Sequence, residues 1–364
     1  MPKNPEQIVK ALWDIFSTVF SMSDIKHELT REVRIALCGN SPRIQELHGL
    51  FNTMQKEEGR DESGEQKEEA SPGEHHALPE KVRLCAWPPD DEDAKYIDRC
   101  HIAIFIINAK DITLDGLRPY SESWAEKKPR RFLWFIDGAV DEMQREEITD
   151  RFEEIAVSEL HWINEEWSSI TRLILKKVSD RGLSCARAYQ FLRDDEAKKL
   201  IASTARENSY IAFSSSLPTN IPVIGIIIGL IAVAGETLII TASQIRMCLR
   251  IAGIYGFNVD FTERMTELWP ILAGAFGWRT LARGLSGFIP GGGPIIKTSI
   301  AYAGTMMAGH AAQWFYRDGK KLTREEMSEL YNREKKHYLD NIHSFISKLK
   351  GKDSEKNFPE DREP

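Results

Sequence analysis

The sequence predicts an α/β, doubly wound domain followed by an all-helical, glycine-rich apolar domain. Over the first half, short β-branched and aromatic runs alternate with helical periodicities; over long stretches of the second half, charge disappears. The length agrees, because 364 residues exceed one ordinary hydrophobic core and favour two domains.

Ile8, Leu12, Ile15, Phe16, Val19 and Phe20 recur at helical spacing with Asp14 among them. Residues 1–30 therefore read as an amphipathic helix, without the pattern of a signal peptide. An apolar run at 33–38 ends in Gly39-Asn40-Ser41-Pro42, and Ile44, Leu47, Leu50, Phe51 and Met54 then carry a helix. Strand, tight turn, helix is the simplest reading. Residues 55–80 are mostly Glu, Lys, Gly and Ser, and with so little to bury they predict a disordered acidic loop.

Strands follow at 82–87, closed by Pro88-Pro89, at 101–108 and at 132–136. The second of these is a nearly continuous β-branched run, the kind buried on both faces of a parallel sheet. Helical segments near 91–99, 120–127, 141–154 and 164–178 complete a domain over 31–180, and the alternation implies right-handed crossovers.

From 186 to 208 a charged amphipathic helix leads into the second domain, 186–350. No Asp, Glu, Lys or Arg occurs between Glu207 and Glu236, and Lys297 is alone between Arg283 and Arg317. The apolar stretches 221–234 and 295–312 are separated in part by Pro290-Gly291-Gly292-Gly293-Pro294, a break that reads as a hinge between helices. A charged helix over 323–350 and a frayed tail over 351–364 end the chain.

A formal net charge of −7 with no basic block excludes a nucleic-acid binder. Cys38, Cys85, Cys100, Cys185 and Cys248 show no zinc or redox spacing and read as reduced, intracellular, structural thiols. The histidines are scattered, and the pair His75-His76 falls in the acidic loop, so no metal site is expected.

The order of elements over 33–178 resembles the Era-like branch of P-loop GTPases. In that family the loop G-x-x-x-x-G-K-[ST] cradles phosphate, with a lysine and a magnesium-binding hydroxyl. Gly39 matches the first glycine, but the later positions fall on Ile44, Gln45 and Glu46. A carboxylate there, with no lysine, disfavours phosphate. Ala86-Trp87-Pro88-Pro89 stands where D-x-x-G belongs, and Pro89 has no N–H to give. Of the guanine motif N-K-x-D, only Asp141 survives in Gly138-Ala139-Val140-Asp141, and an aspartate just before a helix is more often an N-cap. Val157-Ser158-Glu159-Leu160 stands at the final loop motif. The resemblance thus implies a degenerate GTPase-like domain, a pseudo-GTPase without cofactor. On the alternative, GTP and magnesium are held by unorthodox contacts that include Gly39, Asp141 and Ser158.

Residues 214–256 and 281–313 resemble the YcjF-like domain of unknown function that accompanies Era-like GTPases. The resemblance rests on the run from Pro222 to Gly235-Glu236, on Ile254-Tyr255-Gly256, and on Gly287-Phe288-Ile289-Pro290-Gly291-Gly292-Gly293. It implies a membrane-associated domain on the cytoplasmic face of a bacterial inner membrane, whose partners are lipid or an inner-membrane protein. Gly225 and Gly229, four apart, permit close helix contact in lipid, as do Gly304 and Ala308, and homo-oligomers through this domain are compatible with that. The physics is divided. Residues 221–234 are short for a span, while 295–315 suffice if Lys297 snorkels to the surface. A buried helical hairpin in a soluble, cytoplasmic protein is the alternative. Glu236, Ser243, Arg246 and Arg250 form one polar stripe, a solvated face or, inside a membrane bundle, a carboxylate-arginine pair. The expected function is a regulatory or interaction module without chemistry of its own.

Overall fold

A computed structural model of the chain describes residues 21–52, 82–112, 132–153, 157, 160–163, 167–215, 236–261, 264, 267–268 and 293–354. The expected acidic loop, the helix near 120–127 and the run 221–234 lie outside these residues. The chain divides into two compact units: a sheet unit, His27–Glu196 with Ile254–Gly256, and a helical unit, Met1–Lys26, Ala197–Gly253 and Phe257–Pro364. Sequence placed the change of domain near 180–186; the structure places it between Glu196 and Ala197.

The described elements begin with α1 (Met22–Thr30), β1 (Ile35–Cys38), α2 (Arg43–Asn52), β2 (Val82–Cys85), α3 (Asp91–Arg99) and β3 (Ile102–Asn108). They continue with β4 (Phe132–Asp137), α4 (Glu142–Glu153), β5 (Leu160–Ile163), α5 (Trp167–Lys177) and α6 (Gly182–Ala188). Then come α7 (Arg193–Ser214), α8 (Glu236–Ile254), α9 (Gly293–Asp318) and α10 (Arg324–Ser354). The expected α/β half and helical half are both present. The last helix runs past residue 351, into the stretch expected to fray.

In the sheet unit five parallel strands stand in the order β2-β1-β3-β4-β5. Burial follows that order. β1 and β3 are fully apolar inside, whereas β2 and β5, outermost of the described strands, are mostly half-exposed. A parallel strand covered on both faces has no solvent side to spend polar residues on, hence the unbroken run of β3. On one face Cys38, Phe105, Trp134 and Ile136 pack with Ala94 and Ile97 of α3 and Ile148 and Phe152 of α4. Phe105 stacks on Trp134 at 3.9 Å between centroids, and Phe152 meets Trp134 edge-on. The alternate residues Ile35, Leu37, Ile104 and Phe135 are equally buried on the second face. There α2 lies against β1 and β2, and α5 against β4.

In the helical unit three layers set the register of α7, α8 and α9. Ala212, Ile240 and Ala301 form one cluster. Asn208 and Gln244 both donate to Thr305 Oγ1, each at 3.0 Å. Gly309 abuts Ile201 and Met247. Numbers fall along α7 while they rise along α8 and α9, so α7 runs antiparallel to both. Helix α10 folds back on α9, Tyr302 stacking on Tyr338 at 4.5 Å. The reversal needs Gly319, whose φ of 68° lies in the left-handed region.

Candidate functional site

In a doubly wound sheet the crevice lies beyond the carboxyl ends of the strands where the order reverses, here between β1 and β3. The β1–α2 turn, the β3 exit and the β4 exit meet there. Gly39 has φ 148°, and a Cβ on it would sit 1.9 Å from the carbonyl oxygen of Ile106. Only glycine lets the turn lie flat on β3.

The turn is then fastened by its own side chains. Asn40 Oδ1 accepts from Asn108 N at 2.8 Å, and its Nδ2 donates to the Asp111 carbonyl at 2.6 Å. Ser41 Oγ donates to Asp137 Oδ2 at 2.5 Å, and Arg43 Nε donates to Asp137 Oδ1 at 3.0 Å. One carboxylate at the end of β4 thus holds both the turn and the first residue of α2. Arg43 also lies 4.0 Å from Glu46, one turn on.

A helix start normally leaves its first N–H groups without partners, which is what makes it a phosphate seat. At α2 they are taken. Arg43 N donates to Ser41 Oγ, Ile44 N to the Ser41 carbonyl and Gln45 N to the Pro42 carbonyl, all at 3.1 Å. The neighbouring loops are closed in the same way. Ala86 N, after β2, donates to Asp93 Oδ2 at 2.7 Å; Asp93 is itself buried and paired with Arg83 at 2.9 Å. Lys110 N donates to Asn108 Oδ1, and Ala109 N to the Asp137 carbonyl.

Of the residues singled out by sequence, Gly39 and Asp141 come to this edge. Asp141 is the N-cap of α4: its Oδ1 accepts from Gln144 N at 2.8 Å, and Gln144 Oε1 accepts from Asp141 N at 3.2 Å. That reciprocal pair is a capping box, and the carboxylate is committed to the helix. Ser158 lies outside the described residues. Leu160, at the end of the stretch 157–160, opens β5 and stands at the amino end of a strand parallel to β4, the edge opposite Gly39. A four-residue strand with Trp and His among its members shows too little pattern to be read in advance.

In the helical unit Gly225, Gly229, Gly291 and Gly292 lie outside the described residues. Gly293 opens α9 and Glu236 opens α8. Glu236 and Arg250 belong to one helix at a separation of about 20 Å along its axis, so they cannot pair within it. Ser243, Arg246 and Arg250 are half-buried, a stripe flanked by buried residues. Gly304 has open space where its Cβ would be; the glycine that allows close contact is Gly309. Lys297 is half-buried and donates to Ser215 Oγ at 2.9 Å.

Among the described residues no helix is long and apolar enough to cross a membrane. Among them, too, no group of three His, Cys, Asp or Glu residues could hold a metal ion. No protein-family model, curated protein or solved structure matches the chain.

What sequence reading missed is the role of Asn40, Ser41, Arg43, Asn108 and Asp137, which hold the edge together. Asn and Ser around a glycine are ordinary turn residues, and nothing in their spacing points across 96 residues from Ser41 to Asp137.

Proposed function

We propose that this protein is a non-catalytic regulatory or interaction module: a pseudo-GTPase sheet unit joined to a membrane-associated helical unit. The observation that carries the first part is the start of α2. Its N–H groups at Arg43, Ile44 and Gln45 already have acceptors within the chain, and Glu46 adds negative charge in the same turn. A triphosphate placed there would have to displace Ser41 and Pro42 as acceptors and meet a carboxylate with no lysine to offset it. The Asp137 clasp on Ser41 and Arg43 resists the opening that such displacement requires.

A surface held this firmly suits recognition by another protein, since little ordering entropy is lost on docking. Titration calorimetry with GTP and magnesium tests the reading. No heat at micromolar protein and no phosphate release are expected; a micromolar dissociation constant would replace it with the alternative, a working GTPase with unorthodox contacts.

The membrane part rests on sequence, on the uncharged stretch between Glu207 and Glu236. The apolar positions of α9 instead favour a bundle core, because Ala303, Met307, Ala308 and Ala312 are buried among neighbouring helices. Membrane contact is therefore assigned to residues 221–234. Retention in the membrane pellet after alkaline carbonate is expected, and release into the supernatant would favour a soluble helical bundle.

A further inference from the structure

Three thiols that the sequence scatters are gathered by the fold. Cys38 ends β1 and Cys85 ends β2, and the two are direct partners in the parallel register. Both are buried in one cluster with Cys100, just after α3, and Cys85 Sγ donates to the Arg83 carbonyl at 3.9 Å. Register partners stand about 4.8 Å apart at Cα, inside the range a disulfide spans, and their side chains leave the sheet on the same face. Cys100 Sγ donates to the Ile97 carbonyl at 3.1 Å, which turns it toward its own helix. With no metal-holding group among the described residues, the arrangement is a thiol pair with a neighbour and not a metal centre.

We propose that Cys38 and Cys85 form a reversible disulfide, so that the β1–β2 edge is a redox-modification site. This does not depend on the function proposed above. Access comes from the β2 side. That strand has four residues and is outermost among the described strands. Burial, and then the neighbouring Cys85, raise the Cys38 thiol well above its ordinary range, so the closed form reacts slowly and fraying of β2 sets the rate.

With a peroxide as oxidant, the Cys85 thiolate attacks one oxygen, the O–O bond breaks, and hydroxide leaves to be protonated to water. Cys38 sulfur then attacks the Cys85 sulfenic sulfur; the S–S bond forms, the S–O bond breaks, and a second water leaves with the Cys38 proton. Two thiols lose two electrons and peroxide gains them. The product staples β2 to β1 immediately before the Gly39 turn. A dithiol reverses it.

The test treats the full chain with hydrogen peroxide, then denatures it in alkylating reagent and maps peptides by mass spectrometry. The expected result is one bridge, Cys38 to Cys85, with Cys100, Cys185 and Cys248 alkylated. Bridge formation should quicken at least tenfold in urea below the unfolding transition, because fraying is what admits the oxidant. Dithiothreitol should restore five thiols, and the bridged form should melt about 5 °C or more above the reduced one. Cys100→Ala should form the same bridge. Five alkylated cysteines after peroxide, a bridge that includes Cys100, or a rate indifferent to urea would each overturn the proposal.

Discussion

The sheet unit and the helical unit fill their interiors with different matter. Inside the sheet unit stand large apolar side chains, Phe105, Phe135, Phe152, Ile104 and Leu37 among them, and a polar network fastens its carboxyl edge. Inside the helical unit Asn208, Thr241, Ser299 and Thr305 are wholly buried, surrounded by Ala303, Ala308 and Ala312. The difference has a geometric cause. A sheet separates from its covering helices by the length of two side chains, so large apolar groups are needed to fill the gap. Helices α7, α8 and α9 come close enough for Gly309 to touch Ile201 and Met247, and at that distance small residues fit and a hydroxyl on one helix reaches amides on two others. Polar contacts accordingly fasten the carboxyl edge of one unit and set the register of helices within the other.

Substitutions that exchange one kind of interior for the other should break this contrast in order of size. Phe105→Ala removes the ring that stacks on Trp134 and meets Phe132 and Trp87 edge-on. It should cost about 3–5 kcal/mol in urea unfolding followed by tryptophan fluorescence; a cost below about 1 kcal/mol would mean that the stack is not what fills the sheet unit.

Thr305→Val keeps the shape of the side chain and removes the acceptor shared by Asn208 and Gln244. Both buried amides lose that acceptor, and a loss of about 2–4 kcal/mol is expected from the same measurement. A neutral outcome would show that the polar layer is incidental to the bundle.

Glycine positions sharpen the point. At Gly309 a Cβ would lie 2.7 Å from Ile201 Cγ1, so Gly309→Ala should cost about 1–3 kcal/mol. Gly304→Ala, in open space on the same helix, should instead stabilise by up to about 1 kcal/mol through helix propensity. Equal thermal shifts for the two would contradict close packing at Gly309.

The smallest effect is a pH dependence. Burial holds the His310 imidazole below its ordinary 6.5, with Glu334 and its hydrogen bond to Gln313 opposing, and Arg333 and Lys198 adding to the depression. The unfolded chain therefore takes up this proton first, and stability attributable to neutral His310 is present above pH 6.5 and lost as pH falls below it. His310→Leu should flatten that part of the profile of melting temperature against pH. An unchanged slope would place the titrating group elsewhere.

The strands were legible to the extent that they were long and covered. Residues 101–108 and 132–136 were placed within a residue of β3 and β4, since a parallel strand buried on both faces writes itself as an apolar run. β5 was passed over because a short outer strand has no such run. The turn at Gly39 was placed correctly, yet the residues that fasten it were not foreseen. Spacing identifies a glycine turn; it cannot say that Asp137 will arrive beside Ser41 and Arg43.

The cysteines make the same division visible. Read along the chain they are isolated, because 47 positions separate residue 38 from residue 85. Only the parallel register places Cys38 against Cys85, and no local pattern encodes which strands become neighbours.

By itself, then, the amino-acid order determined what is local: the alternation that makes an α/β half, the charge-poor stretches of the helical half, the glycine between β1 and α2, and the Gln45-Glu46 pair in the first turn of α2. Tertiary structure decided what is distant, namely the strand order, the closing of the α2 start by Ser41 and Pro42, the polar layer around Thr305 and the meeting of the thiols. The physical reason is range. Propensity and periodicity act over a few residues, whereas a hydrogen bond or a register partner is fixed only when separate segments are packed together.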